Sequence, residues 1–292
     1  MLFLSKKVER KIENALSQPM DIEILIPVIV LGGFGLVFAI GLAYTSKRFA
    51  VKVDPRIERV EDALAGINCG VCGYPGCRGY AEAIVNDDVS IDKCAPGGND
   101  SLIKLAAIMG VKVDEIIPKV AVIRCQGGRE QTRSLFIYDG AADCRAAQLV
   151  CAGSKSCNYG CLGHGSCAAS CPFGAIKMNT NGLPTIDEDK CTACGVCVRT
   201  CPRGIITLIP RTQELFLGCV NPNSGPNVRR ICQVGCVACG LCIKKNPAGS
   251  DGITMEDNLP SINYDKLTSW PEANSICPRK CYITREGASV RN

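Results

Sequence analysis

Large rings are scarce in this chain. Seven Phe, seven Tyr and one Trp make up 5% of its 292 residues, so the side chains that usually fill a core are in short supply. Histidine occurs once, as His164. The glycine-rich stretches GGFG (32–35) and LGHG (162–165) lack a strand–turn–helix setting, which argues against a phosphate-binding loop. No set of catalytic acids and bases stands out. The net charge is +5 and no basic stripe interleaves with aromatics, so nucleic acid is not an expected partner. No secretory signal with a cleavage site is evident, because residues 1–20 are charged and helix-like with too short an apolar run. What is abundant is cysteine, at 22 residues. Disulfides or metal centres could take over the filling of the core. Disulfide scaffolds belong to oxidising compartments and short secreted chains, whereas repeated Cys-x-x-Cys spacing favours metal.

One apolar run interrupts the polar sequence. Ile24 to Tyr44 carries no charge and is long enough to cross about 30 Å of hydrocarbon. We take 22–45 as a membrane helix, with a buried soluble helix as the alternative. Asp21 and Glu23 precede it, and Lys47 and Arg48 follow it. The positive-inside rule then places the downstream chain in the cytoplasm. Lys6, Lys7, Arg10 and Lys11 argue the other way, from farther off. A reducing cytosol also suits unoxidised thiols. Gly32, Gly33, Gly35 and Gly41 give either a small-residue packing face or ordinary membrane-helix composition.

The cysteines fall into groups. The first is Cys69, Cys72, Cys77 and Cys94, interleaved with Gly70, Gly73 and Gly76. Four thiolates complete one cubane iron–sulfur ligand set, and tight glycine turns can aim N–H groups at it. Zinc is the rival metal. The second group, Cys191, Cys194, Cys197 and Cys201-Pro202, matches the bacterial ferredoxin run, whose fourth cysteine serves the neighbouring cluster. Its partner is CNYGCLGHGSCAASCP, with Cys157, Cys161, Cys167 and Cys171. The exchange pairs Cys157, Cys161 and Cys167 with Cys201, and Cys191, Cys194 and Cys197 with Cys171. In the normal rhythm His164 falls on a ligand position, so either His164 or Cys157 completes that set.

The third group is Cys236, Cys239 and Cys242, with Asn246 where the fourth cysteine belongs. Its partner, LPSINYDKLTSWPEANSICP, aligns without a gap to LPTIDEDKCTACGVCVRTCP. Leu267, Trp270 and Ala273 replace three cysteines, and only Cys277 remains. By the exchange rule, Cys236, Cys239, Cys242 and Cys277 form one complete set. The other set loses all four ligands, with Leu267 and Trp270 filling its volume. Four [4Fe-4S] clusters are therefore expected. Cys125, Cys144, Cys151, Cys219, Cys232 and Cys281 are left over, either as ligands of a fifth cluster or as small buried residues. Arg229, Arg230, Lys244 and Lys245 near the third group are either docking charges for an acidic partner or a solvated basic face.

An apolar PVIVLGGFGLVFAIGLAYTSKRFAVKVDPR, then NCGVCGYPGC, then ferredoxin runs resembles the iron–sulfur B subunits of the Rnf complexes. These are membrane-bound ferredoxin:NAD oxidoreductases coupled to sodium or proton translocation. The resemblance runs from Asp21 to about Cys281. It implies a six-subunit complex in the cell membrane, electron exchange with soluble ferredoxin, and an ion path in other subunits. Other readings of the residues are an iron–sulfur subunit of another membrane dehydrogenase and a zinc-binding scaffold. The expected fold is α+β, with a membrane helix, a four-cysteine module and ferredoxin-like (βαβ-βαβ) domains. The expected segments are an extension (1–20), the membrane helix (22–45), the four-cysteine module (46–100), a connecting α/β region (101–156), a two-cluster domain (157–210), a one-cluster domain (211–282) and a tail (283–292). A helix and then a strand are expected between Asp100 and Arg124.

Overall fold

The computed structural model describes residues 22–49, 54–113 and 116–285. The expected extension, Lys6, Lys7, Arg10 and Lys11 within it, and most of the tail lie outside the described residues. The chain divides into two units, one before Pro55 and one from Pro55 onward.

The first unit contains α1 (Ile22–Arg48). At 1.5 Å per residue its 27 residues run for about 40 Å. Its apolar side chains, among them Leu31, Phe34, Phe38 and Leu42, are exposed. Residues 25–48 are long and apolar enough to cross a membrane, which accounts for an apolar face that water would penalise.

The second unit begins with three helices, α2 (Pro55–Ala63), α3 (Gly76–Asn86) and α4 (Gly98–Met109). Apolar residues at helical spacing, Ile57 and Val60 on α2 and Tyr80 and Ile84 on α3, meet Leu105 of α4 in one core. The helix and strand expected between Asp100 and Arg124 are α4 and β1 (Lys119–Ile123).

Two halves of like topology follow. The first runs β1, α5 (Cys144–Leu149), α6 (Ser166–Ala169), β2 (Ile176–Met178), β3 (Pro184–Ile186), α7 (Val196–Thr200), β4 (Ile206–Pro210). The second runs β5 (Leu215–Leu217), α8 (Gly225–Ile231), α9 (Leu241–Lys245), β6 (Ile253–Glu256), β7 (Leu259–Ile262), α10 (Ala273–Ile276), β8 (Tyr282–Thr284). In each half the outer strands pair antiparallel, β1 with β4 and β5 with β8, and the inner strands form a hairpin, β2–β3 and β6–β7.

Alternation along the outer strands builds three cores at once, because successive strand side chains face opposite ways. Ala121 faces the first half's interior with Cys161, Cys167 and Cys197. Leu215 and Leu217 face the second half's interior with Cys236 and Cys242. Val120, Val122, Ile209 and Phe216 form a separate core against Ile283, where the two strand pairs meet. Arg124 Nε donates to the Leu217 carbonyl at 3.4 Å, and Gln126 Nε2 to the Lys280 carbonyl at 3.1 Å, across the same junction.

Candidate metal centres

The four-cysteine module places Cys69, Cys72, Cys77 and Cys94 around one small cavity. The Asn68 side chain accepts from the Cys77 amide at 2.8 Å, which fixes the turn into α3. A side chain at Gly76 would sit 2.8 Å from that Asn68 oxygen, and φ there is +86°, so glycine is required. The Tyr80 hydroxyl donates to the Ser90 carbonyl at 2.7 Å and accepts from the Lys93 amide at 3.1 Å. It thereby ties the loop carrying Cys94 to α3, the helix that carries Cys77.

In the first half, Cys171 joins Cys191, Cys194 and Cys197 around a second cavity. The Ala175 amide donates to Cys171 Sγ at 3.4 Å. In the second half, Cys277 joins Cys236, Cys239 and Cys242 around a third cavity. There the Cys281 amide donates to Cys277 Sγ at 3.4 Å. The two amides lie equally far beyond the Cys-Pro pair, so one backbone turn serves both sites. The helices carrying the third cysteine of a run start alike. Gly165, Gly195 and Gly240, all left-handed, cap α6, α7 and α9.

The lost ligand positions are filled. Leu267, Trp270 and Ala273 are all buried with Tyr282, and Trp270 is 4% exposed. The Trp270 and Tyr282 rings lie 6.1 Å apart. Asn246 Nδ2 donates to the Ile243 carbonyl at 2.9 Å and closes the C-terminal end of α9.

Cys161, Cys167 and Cys201 belong to the first half's interior. Two residues stand near them. His164 occupies the place of Cys194 and Cys239, and its ring meets Tyr138 edge-on at 5.0 Å. Its Nε2 is buried without a hydrogen-bond partner among the described residues, and burial lowers its pKa. The Cys144 amide donates to Ser166 Oγ at 2.6 Å, and Cys144 is close enough to Cys167 to disfavour the Cys167 thiolate. Cys157 is buried. It shares a fourth small cavity with Cys125, Cys219 and Cys232. Cys151 is exposed.

Among the described residues no three donors converge as one bound ion would require. A tetrahedral zinc draws its thiolates to about 2.3 Å from a single centre. Four thiols lining one small cavity match the ligand complement of a [4Fe-4S] cluster. Burial pushes Cys161 and Cys197 up to about 12 and Cys167 and Cys219 up to about 11. Hydrogen bonding from the Cys281 thiol instead holds Cys277 down at about 6. Sequence reasoning passed over two cations. Lys155 is buried, and its Nζ donates to the Gly127 carbonyl at 2.9 Å. Arg203 has buried Nε and Nη1 atoms without hydrogen-bond partners among the described residues. A lone Lys or Arg in a loop carries no signal of this kind. Arg229, Arg230, Lys244 and Lys245 are all exposed, on the last turns of α8 and α9.

Comparison with known proteins agrees with this arrangement. A family model described as "Putative Fe-S cluster" matches residues 64–96, and one described as "4Fe-4S binding domain" matches 184–207. The B subunit of the Na+-translocating ferredoxin:NAD+ oxidoreductase complex of Acetobacterium woodii is 47% identical, over 88% of this chain and 77% of that protein. The B subunit of the proton-translocating complex of Clostridium ljungdahlii is 42% identical, over 88% and 90%. The B subunit of the ion-translocating oxidoreductase complex of Methanosarcina acetivorans is 35% identical, over 88% and 97%. The chain belongs to the family of B subunits of the Rnf-type ion-translocating ferredoxin:NAD oxidoreductase complexes.

Proposed function

We propose that the chain is the membrane-anchored electron relay of such a complex, passing single electrons between soluble ferredoxin and membrane-embedded partners. The observation that carries this reading is the repeated placement of four thiols around one cavity: Cys69, Cys72, Cys77 and Cys94; Cys171, Cys191, Cys194 and Cys197; Cys236, Cys239, Cys242 and Cys277. Cys161, Cys167 and Cys201 form the core of a fourth set, giving the four [4Fe-4S] clusters expected from spacing. A cluster bound at such a set stores and passes one electron at a potential set by hydrogen bonds, charge and exposure. The protein's part is to hold the thiolates, aim amides such as those of Ala175 and Cys281 at sulfur, and keep water away.

α1 anchors the chain in the lipid bilayer, and Lys47 and Arg48 at its end favour a cytoplasmic side for the cysteine sets. Arg229, Arg230, Lys244 and Lys245 present positive charge to an acidic ferredoxin. The relatives include subunits of both sodium- and proton-translocating complexes. The coupling ion passes through other subunits of the complex, six in all. Anaerobic purification of the full chain tests the reading. Iron with equimolar labile sulfide is expected, together with co-purifying membrane subunits and ferredoxin-dependent NAD reduction. Zinc without sulfide would overturn it.

A further inference from the structure

We propose that Cys125, Cys157, Cys219 and Cys232 form a further iron–sulfur site joining the two ferredoxin-like halves, an assignment that rests on the iron–sulfur reading of the other sets. The four side chains line one cavity. Each half contributes them in the same way. Cys125 lies just beyond β1 and Cys219 just beyond β5. Cys157 and Cys232 each lie four residues before the first cysteine of their half's ferredoxin run, Cys161 and Cys236.

The surroundings suit an anionic group. The Cys161 amide donates to Cys125 Sγ at 3.3 Å, and Asn221 Nδ2 to Cys157 Sγ at 3.4 Å. The backbone amides of Asn221 and Cys236 favour the Cys219 thiolate against the opposing effect of burial. Thr132 Oγ1 donates to Cys232 Sγ at 3.8 Å. Gly127 leaves room beside two of the sulfurs, since a side chain there would come within 3.3 Å of Cys232 Sγ and 3.9 Å of Cys125 Sγ. Lys155, 6% exposed, lies within electrostatic reach of Cys125. Arg203 lies within electrostatic reach of Cys157 and Cys125, and also of Cys201 and Cys161 in the neighbouring set. Neither cation forms an ion pair among the described residues. A buried charge needs a counter-charge, and a cluster on four thiolates supplies one.

The place of the site gives it a task. Its cavity is lined by Cys125 and Cys157 of the first half and by Cys219 and Cys232 of the second, and Cys125 Sγ accepts the Cys161 amide at 3.3 Å. It therefore stands between the sets of the first and second halves, where one electron lost by one flanking centre is gained by the next. Cys157 then leaves the Cys161, Cys167 and Cys201 set, whose fourth place falls to Cys144 or His164.

Iron, labile sulfide and native mass of the anaerobically purified full chain test the site. Five cubanes, or about 20 irons per chain, are expected before any substitution. Cys232→Ala should lose about four irons with an unchanged far-UV spectrum. Combining Cys157→Ala with Cys219→Ala should lose no more than either alone. Combining Cys157→Ala with Cys167→Ala should lose about eight, as two sites fall. A native chain with about 16 irons, and no loss on Cys232→Ala, would overturn the site and leave the electron-relay reading standing. Loss of only about four irons from Cys157→Ala/Cys167→Ala would return Cys157 to the Cys161 set. A native chain without iron would overturn both readings. The native mass needs no variant, so a substitution that fails to fold does not block the test.

Discussion

Single residues decide which sets survive in the second half. Cys277 is separated in sequence from Cys242 by two strands and α10, yet lines the same cavity. Cys277→Ala should remove about four irons per chain and one EPR signal, read by metal analysis and spin quantification. Cys281 lines the same cavity as a fifth cysteine. Its backbone N–H does the work that Ala175 does in the first half. Cys281→Ser keeps that amide, so iron content should stay unchanged. Trp270 occupies the room of the deleted ligands. Trp270→Ala should destabilise the chain by about 3–5 kcal/mol in denaturant unfolding, as a cavity opens beside Tyr282. Much of this was legible in the sequence, because ferredoxin spacing and the exchange rule together single out Cys277. The fate of Cys157 was not legible, since the rhythm of the run offers it and His164 for the same place.

At the scale of elements, short helices and strand ends set the ligands. Gly240 begins α9 with φ +68° and open space around its Cα. Gly240→Ala should therefore cost about 1–2 kcal/mol from backbone strain alone. β8 is held by pairing with β5 and by Arg285, whose Nε donates to Glu188 at 2.9 Å and whose Nη1 donates to the Gln213 carbonyl at 3.3 Å. Arg285→Ala should cost about 2 kcal/mol, because it leaves these acceptors short of a charged donor. Both values are read from equilibrium unfolding. The cysteines beyond β1 and β5 carry a visible sequence mark, each ending an apolar run. What the sequence withholds is their meeting, since β1 pairs with β4 and β5 with β8 across long loops. No local spacing encodes that pairing.

For the whole molecule, two solution behaviours follow. Cys161, Cys167 and Cys219 have folded-state pKa values raised by burial from 9.0 to about 12, 11 and 11. A raised value stabilises the folded metal-free chain below pH 9.0, and that contribution is lost as pH climbs through about 11 to 12. The chelated chain should therefore lose thermal stability above about pH 9. Cluster loading, which must displace thiol protons, should become more favourable as pH rises toward that limit. Reversing Arg229, Arg230, Lys244 and Lys245 to Glu should slow electron uptake from ferredoxin roughly tenfold at low ionic strength. Little difference should remain at high salt, as stopped-flow mixing would show.

The closure of the second half by β8 also bears on biosynthesis. Domains form from the N-terminus as the chain is made. The Cys69–Cys94 module is complete while most of the chain is still being translated. Cys277 and β8 lie near the end of the described residues, and β5 must wait for β8 before its strand pair exists. The half that carries Cys236, Cys239 and Cys242 therefore matures last. A ribosome stalled before Cys277 would hold a nascent chain able to load its first centre but not this one. The first centre can therefore accept iron and sulfide before β8 exists, whereas this one can do so only once β8 has been made.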